Sequence, residues 1–437
     1  MATGLVSHTL CSDTFVIGLD PDRVAVETLP GMPGIRRLLP VLHHHVDQSR
    51  REVTASVAGL FVSRAIYRPG MGCTLVYAGH ADAAAASAPA APRAEGRPAR
   101  LGEIAGPGAV EPADERLRLA LDRAFADPVD GPAQGTKAVV VIHAGRIVAE
   151  RYAPGVGVDT PLLGWSMTKS VMNALVAILV RQGRLSLTDP APVPAWRDPS
   201  DPRRAITVEQ LMRMTSGLAL DDTNNGFDPS SRMLYTQPDM AAYAERFRPI
   251  APPGASYHYS NLSTVILSRI VRDAVGGRAE DVLRFAHREL FGPLGMRRVT
   301  LEFDAADTPV GSTYLYATAR DWARFGLLYA HDGVIGGARI LPEGWVDFSA
   351  TWTPGSRDGY GAGFFTNRGA GEGGRLRVAG GMPPDSFFAA GTQGQRLVIA
   401  PALRLVVVRL GRTPDWQAFD KRAMSRLVAE AAATLAR

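Results

Sequence analysis

A serine and a lysine three residues apart are the clearest candidates for covalent chemistry. Ser166 and Lys169 lie at the start of the strongest helical pattern, predicted over about 166–181 and ended by Gly183. At this spacing both side chains share one helix face. A serine hydroxyl is a poor nucleophile without a base, and a lysine amine that burial keeps neutral can be that base. The pattern predicts a nucleophilic Ser166 with Lys169 as its base. The alternative is a helix-capping serine beside a solvated lysine.

Lysine is rare in this sequence. Lys and Arg together number 48, but the only lysines are Lys137, Lys169 and Lys421. An arginine stays protonated in a protein, whereas a desolvated lysine can lose its proton. A lysine that acts as a base could therefore not be replaced by arginine, which favours a role for the one Ser-x-x-Lys spacing in the chain.

Two further motifs follow later in the chain. Tyr259 and Asn261 come after a Pro-Pro-Gly turn and start a predicted helix, where the tyrosine can relay a proton and the asparagine can orient a lysine or a substrate. A surface tyrosine beside a helix-capping asparagine is the alternative. Gly391 and Thr392 end a predicted strand in a Gly-rich turn, which can bring a second backbone N–H opposite that of Ser166 for an oxyanion. A bulge or an edge turn is the alternative there.

The elements that must position these residues are segregated along the chain. Strands come first, helices occupy the middle, and strands and a helix come last. The predicted strands are 137–143, 147–152, 387–390, 396–400 and 404–410, and the predicted helices are 114–126, 166–181, 207–214, 262–275, 280–291, 318–331, 342–348 and 416–436. This order predicts an α+β fold, in which both chain ends build an antiparallel sheet around a helical insertion.

Residues 1–80 are predicted as a small N-terminal α/β extension, and the Ala/Pro/Gly-rich residues 81–113 as a linker to a domain at 114–437. Strands are predicted at 15–17, 53–57, 65–67 and 73–77, and a helix capped by Asp20 at 22–29. Cys11 and Cys73 can pair in an oxidising compartment or stay buried thiols in a reducing one. The triplet His43–His45 is not expected to bind a metal, because neighbours on a strand point to opposite faces.

Composition excludes several classes of protein. With 46% hydrophobic and 21% charged residues the chain is globular, and its net charge of +5 is too scattered to indicate a nucleic-acid partner. The longest apolar run, 171–180, contains Asn173 and is too short for a membrane span. No signal peptide is recognisable at the start, so a cytoplasmic location is expected unless a leader was removed. Neither a zinc-protease motif nor a Gly-x-Ser-x-Gly elbow occurs.

In this order, the three motifs resemble those of the serine β-lactamase and penicillin-binding-protein superfamily, and most closely its class C β-lactamase-like branch. The stretches 164–170, 211–218, 259–261 and 316–326 are similar to those of 6-aminohexanoate-dimer hydrolases and related esterases. The resemblance covers about residues 114–437. It implies a β-lactamase/transpeptidase-like fold with a helical subdomain, and residues before 80 resemble N-terminal extensions of some relatives.

The resemblance also implies roles for individual residues. Ser166 would be acylated and then released by water, with Lys169 as base and Tyr259 as proton relay to the leaving group. The backbone N–H groups of Ser166 and Thr392 would form the oxyanion hole. The residues expected to contact the substrate are Asn261, Trp165, Gly391 and Ala390. No cofactor or metal is implied, and the expected partners are a small ester or amide and, for assembly, a second copy of the chain.

Two departures from the family pattern bear on the substrate. Many β-lactamases and DD-peptidases carry Lys-Thr-Gly where this chain has Ala389–Gly391, without a cation. This favours small esters or linear amides, while a β-lactamase, a DD-peptidase and a penicillin-binding sensor without turnover stay open. The dimer hydrolases carry a tyrosine and an aspartate in the loop after Leu218, but residues 221–225 contain no tyrosine. Efficient cleavage of the 6-aminohexanoate dimer is therefore not expected.

Overall fold

The computed structural model describes residues 1–32, 34–78, 99–219, 223, 225–414 and 418–435. The chain forms two compact units, each built from segments that are distant in sequence. Unit 1 contains Met1–Glu95, Leu185–Ala286 and Thr300–Tyr316, and unit 2 contains Gly96–Arg184, His287–Val299 and Ala317–Arg437. The domain boundaries at 80 and 113 stay predictions. Most of the predicted linker, and parts of the 221–225 loop, lie outside the described residues.

The strands of the described chain are β1 (Leu42–Asp47), β2 (Glu52–Val57), β3 (Leu60–Arg68), β4 (Gly72–Val76), β5 (Thr136–His143), β6 (Arg146–Tyr152), β7 (Leu162–Leu163), β8 (Val299–Leu301), β9 (Leu315–Ala317), β10 (Val334–Ile335), β11 (Ala338–Arg339), β12 (Phe365–Thr366), β13 (Phe387–Gly391), β14 (Gln395–Ala400) and β15 (Leu405–Gly411). The α-helices are α1 (Ala2–Ser12), α2 (Pro21–Glu27), α3 (Glu115–Phe125), α4 (Thr168–Arg181), α5 (Val208–Met212), α6 (Pro229–Thr236), α7 (Met240–Ala244), α8 (Asn261–Val275), α9 (Ala279–Ala286), α10 (Gly292–Leu294), α11 (Ala319–Ala330), α12 (Trp345–Ala350), α13 (Glu372–Ala379) and α14 (Lys421–Leu435).

Unit 2 is organised around a six-stranded antiparallel sheet in the order β12-β13-β14-β15-β5-β6. Strand β15 is buried along its whole length, as is most of β5. Helices α3 and α14 cover one face of the sheet, and α11 packs against β14 and β15. Strands buried on both faces read as continuous apolar runs. The predicted α+β fold with an antiparallel sheet from both chain ends is confirmed.

Gly326 lets helix α11 approach the sheet closely. A Cβ at this position would lie 2.7 Å from Val406 Cγ1 and 2.8 Å from Leu397 Cδ1. We expect Gly326→Ala to lower the free energy of unfolding by about 1–3 kcal/mol through overpacking, despite the better helix propensity of alanine. Urea denaturation measures this change, and a variant at least as stable as the wild type would contradict it.

Local sequence signals placed several elements of both units correctly. Ala144 and Gly145 both have positive φ, 51° and 84°, as a two-residue turn between β5 and β6 requires. Thr207 and Gln210 form the predicted capping box at the start of α5. Gly183 follows the end of α4 with φ 68°.

The N-terminal part of unit 1 consists of a four-stranded antiparallel sheet, in the order β1-β2-β3-β4, with α1 packed on it. The apolar core includes Leu10 and Val53, both fully buried. A disulfide joins Cys11 to Cys73, with the Cα atoms 6.1 Å apart. Pairing is therefore the arrangement of the two cysteines in this structure. On β1, His43 and His45 are exposed while His44 is half-buried, as alternation requires.

Several predicted elements were wrong or displaced, and the closing helix predicted from about 416 begins at Lys421. The predicted strand 15–17 is instead part of a π-helical turn, Asp13–Ile17, that continues α1. A short apolar run is compatible with either conformation, and this helical stretch ends at Gly18, whose φ is 87°. The helix predicted from 342 begins at Trp345, because Gly344 before it is left-handed with φ 74°. Helices α1, α6, α7, α10 and α13 were not predicted.

Candidate active site

Ser166 and Lys169 meet in unit 2 as their spacing predicts. Ser166 lies in a 3₁₀ turn, Trp165–Met167, that leads directly into α4. Lys169 Nζ donates a hydrogen bond to Ser166 Oγ over 3.0 Å. Lys169 is only 3% exposed, whereas Ser166 is half-buried. The alternative of a capping serine and a solvated lysine is therefore wrong, and the serine oxygen lies within reach of a buried amine.

The turn before Ser166 has an unusual backbone conformation. Trp165 has φ 49°, in the left-handed region that costs a residue with a Cβ about 1–2 kcal/mol. Its carbonyl oxygen accepts a 2.7 Å hydrogen bond from Thr168 Oγ1. Its indole Nε1 donates to Gln393 Oε1 over 3.0 Å. These contacts hold Trp165 in this conformation directly before the serine.

The end of β13 lies against this turn. A Cβ on Gly391 would lie 2.2 Å from the carbonyl oxygen of Gly164 and 3.0 Å from Trp165 Cβ, so only glycine fits. Thr392 comes next and opens a 3₁₀ turn, Thr392–Gly394. Strand β12 pairs only with Phe387 and Phe388, so the end of β13 that carries Gly391 pairs with β14 alone, and the edge-turn alternative stays open. The structure thus brings the backbone of Gly391 and Thr392 beside the segment that carries Ser166.

Ala390 lies in the same strand, but its side chain has a different environment. It packs against the apolar core that the sheet forms with α3 and α14. Side chains alternate along a strand, so Ala389 and Ala390 point to opposite faces. A contact from Ala390 to a substrate could therefore involve only its backbone.

A buried arginine, Arg409, supports the turn after β13. Its guanidinium donates to the carbonyl oxygens of Gly394 and Gln134 over 2.8 Å and 2.6 Å, and to Thr136 Oγ1 over 3.0 Å. Arg409 is 4% exposed, and burial lowers its pKa to about 10. The sequence signal for this residue is an arginine within the otherwise apolar strand β15.

Asn173 anchors the helix that carries Lys169. Its amide nitrogen donates to the carbonyl oxygen of Ala362 over 2.7 Å, and its amide oxygen accepts from Tyr329 Oη over 2.6 Å and from Trp345 Nε1 over 2.9 Å. The sequence marked Asn173 only as an interruption of an apolar run. A polar residue at such a position signals a buried hydrogen-bond network.

Because Asn173 is buried, its loss would leave several polar partners unsatisfied. We expect Asn173→Leu to lower the free energy of unfolding by about 2–4 kcal/mol, since each unsatisfied buried donor or acceptor costs about 1–3 kcal/mol. Guanidinium denaturation followed by circular dichroism measures the change. Stability within about 0.5 kcal/mol of wild type would show that the network is replaceable by packing.

Tyr259 and Asn261 lie in unit 1. Ser260, between them, is the N-cap of α8 and accepts hydrogen bonds from the backbone N–H groups of Leu262 and Ser263. Asn261 is therefore not the cap, and its Nδ2 donates to Ser230 Oγ over 2.7 Å. Ser230 belongs to α6, a helix that the sequence did not reveal. Tyr259 is half-buried, so the surface-tyrosine alternative is not supported.

The segment before Tyr259 is held by the loop after α5. The backbone N–H of His258 donates to the carbonyl oxygen of Met214 over 2.8 Å, and that of Gly254 donates to Thr215 over 2.7 Å. The side chain of His258 is exposed. The stretch 211–218 is one of those that resemble 6-aminohexanoate-dimer hydrolases. It has a structural role here, because its backbone fixes the segment that leads into the Tyr-x-Asn motif.

Metal-binding clusters and membrane-spanning helices are both absent from the described residues. No cluster of three or more His, Cys, Asp or Glu side chains there is arranged to hold a metal ion. None of the helices in the described ranges combines the length and the apolarity needed to cross a membrane.

Comparison with known proteins places the chain in a family. The sequence model of the Beta-lactamase family matches residues 121–432. A 6-aminohexanoate-dimer hydrolase from Paenarthrobacter ureafaciens is 26% identical over 297 residues, which cover 64% of this chain and 73% of that protein.

Solved structures show the same fold. A Bacillus anthracis protein provisionally assigned as a 6-aminohexanoate-dimer hydrolase aligns with a TM-score of 0.59 at 22% identity, covering 78% of this chain and 87% of that one. A class C β-lactamase from Rhodobacter sphaeroides aligns with a TM-score of 0.53 at 20% identity, covering 74% of this chain and all of that one. The matched family region contains all three motifs, and the chain belongs to the beta-lactamase family, within the serine β-lactamase and penicillin-binding-protein superfamily.

Proposed function

We propose that the protein is a serine hydrolase that cleaves small esters or linear amides through an acyl-Ser166 intermediate. The observation that carries the proposal is the 3.0 Å hydrogen bond from the buried Lys169 Nζ to Ser166 Oγ. Burial penalises a charged ammonium, so the lysine is suited to accept the serine proton. The family membership supports the same assignment.

In the proposed reaction, Lys169 takes the hydroxyl proton as Ser166 Oγ attacks the substrate carbonyl carbon. The carbonyl oxygen becomes an oxyanion, which the backbone N–H groups of Ser166 and Thr392 stabilise. The bond to the leaving group then breaks, and the proton that Lys169 took passes through Tyr259 to the departing oxygen or nitrogen. Water attacks the acyl-enzyme and releases the acid, so Ser166 regains its proton. The role of Tyr259 rests on its motif, and Asn261 is proposed to assist beside it.

The chemistry of β13 supports the proposed substrate class. Ala389 occupies the position of the lysine in the Lys-Thr-Gly motif, so β13 offers no ammonium to a substrate carboxylate. Trp165 is half-buried beside the nucleophile and offers an aromatic surface. Neutral esters and amides with a small apolar acyl group fit this set of side chains better than an anionic β-lactam.

The test is intact-mass spectrometry after brief incubation with p-nitrophenyl acetate, with nitrophenol release followed in parallel. We expect an acetyl adduct on the wild-type chain and sustained release, both lost in Ser166→Ala. A stable adduct without turnover would overturn the hydrolase in favour of an acylated sensor. A stronger response to a chromogenic cephalosporin than to esters and anilides would overturn the substrate class and favour a β-lactamase. Release that persists in Ser166→Ala would remove Ser166 from the mechanism.

A further inference from the structure

We propose that Trp165 and Gln393 are a positioning pair that fixes the separation of the two oxyanion donors, a proposal that rests on the serine hydrolase function above. The indole Nε1 donates a 3.0 Å hydrogen bond to Gln393 Oε1. Trp165 directly precedes Ser166, and Gln393 directly follows Thr392. One side-chain hydrogen bond therefore connects the two backbone segments that carry the proposed donor N–H groups.

Both members of the pair are held in an unfavourable backbone conformation. Trp165 has φ 49° and Gln393 has φ 61°, both in the left-handed region. Residues other than glycine keep such angles only where the surrounding structure over-determines them. Relaxation of either residue would turn the adjoining peptide planes. The hydrogen bond opposes this relaxation at both positions at once.

Each segment is separately tied to a rigid element. Thr168 Oγ1 holds the carbonyl oxygen of Trp165 at the start of α4. Arg409 holds the carbonyl oxygen of Gly394 over 2.8 Å from within the sheet. Loss of the Trp165–Gln393 hydrogen bond would therefore shift the two segments relative to each other without unfolding either one. The expected consequence is slower acylation at nearly unchanged stability.

The test compares four variants with the wild type in the pre-steady-state acylation by p-nitrophenyl acetate. Trp165→Phe removes only the N–H, and Gln393→Met keeps the length of the side chain but removes the acceptor. We expect each to slow acylation roughly tenfold to a hundredfold, less than the 10²–10³-fold typical of a deleted oxyanion donor. The double variant should be no slower than the slower single one, because both remove one interaction. Gln393→Glu keeps an acceptor and should acylate within about threefold of wild type.

Trp352→Phe is the matched control, because its indole donates to the carbonyl oxygen of Ser356, which belongs to neither of the two donor segments. It should acylate at the wild-type rate. Urea denaturation and KM are measured on every variant. A double loss equal to the product of the single losses would overturn the pair, as would a raised KM with unchanged acylation, which would make Trp165 a substrate contact only. If Trp165→Phe fails to fold, the acylation rates of Gln393→Met and Gln393→Glu decide alone. Equal rates of these two variants would then overturn the pair.

The two proposals fail in different ways. A wild-type chain that forms no acyl adduct overturns the hydrolase and the positioning pair together. A wild-type chain that acylates while both single variants keep its rate overturns the pair alone and leaves the hydrolase intact.

Discussion

Replacing Lys169 by arginine is expected to slow acylation of Ser166 by roughly 10²–10⁴-fold, the range in which a positioned base contributes. Arginine keeps the positive charge and can donate to Ser166 Oγ, as Lys169 Nζ now does over 3.0 Å. It cannot lose its proton in a protein, so it cannot take the one on the serine. The substitution therefore distinguishes a Lys169 that acts as a base from a Lys169 that acts only as a fixed positive charge. The measurement is single-turnover nitrophenol release from p-nitrophenyl acetate.

Lys421→Arg is the matched control, because Lys421 is exposed at the start of α14. It should leave acylation unchanged, while Lys169→Met should be as slow as Lys169→Arg. Acylation by Lys169→Arg within tenfold of wild type would show that the group at 169 acts by charge or by shape. The base would then have to be sought elsewhere. Equal thermal unfolding of the variants checks that the site has not collapsed.

Sequence predicted best those contacts that one element fixes by itself. Ser166 in the 3₁₀ turn and Lys169 in the first turn of α4 belong to one continuous helical stretch, so their spacing of three residues brings the two side chains together. The same holds for the capping box at Thr207 and for the turn at Ala144. In each case the partners are close in sequence and the geometry of one helix or turn decides the result.

Contacts between segments that are distant in the sequence could not be predicted from residue spacing. The hydrogen bond from Trp165 to Gln393 joins residues more than two hundred positions apart, and neither residue type marks it. Asn261 was predicted to orient a lysine or a substrate, with a helix cap as the alternative, yet its partner Ser230 lies on a helix that the sequence pattern did not reveal. The pairing of Cys11 with Cys73 likewise depends on how α1 packs on β4.

A buried carboxylate, Glu302, connects the N-terminal residues of unit 1 to the segment Thr300–Tyr316. Glu302 is fully buried, and its Oε1 accepts 2.8 Å hydrogen bonds from Ser12 Oγ and from the backbone N–H of Cys73. Its Oε2 lies 3.0 Å from His8 Nε2. All three partners belong to the first 78 residues of the chain. One side chain therefore holds α1 and β4 at the same time.

We expect Glu302→Met to lower the free energy of unfolding by about 3–5 kcal/mol, the usual cost of removing one partner from a buried charged network. The methionine fills a similar volume but accepts no strong hydrogen bond, so the partners on α1 and β4 stay buried and unsatisfied. Glu302→Gln is the matched control, because its amide oxygen can still accept from Ser12 and Cys73. Urea denaturation measures both variants. A Met variant within about 1 kcal/mol of wild type would contradict the expectation.

The size of this effect bears on whether the first 78 residues are a detachable extension. Helix α1 also packs on α6, where a Cβ on Gly4 would lie 2.5 Å from the carbonyl oxygen of Tyr235. Helix α6 carries Ser230, which accepts the hydrogen bond from Asn261. If Glu302→Met unfolds in one cooperative transition with the rest of unit 1, the extension is part of the frame that supports the Tyr-x-Asn motif. If the variant instead releases a protease-sensitive segment 1–78 while esterase activity persists, the hydrolase fold stands without it.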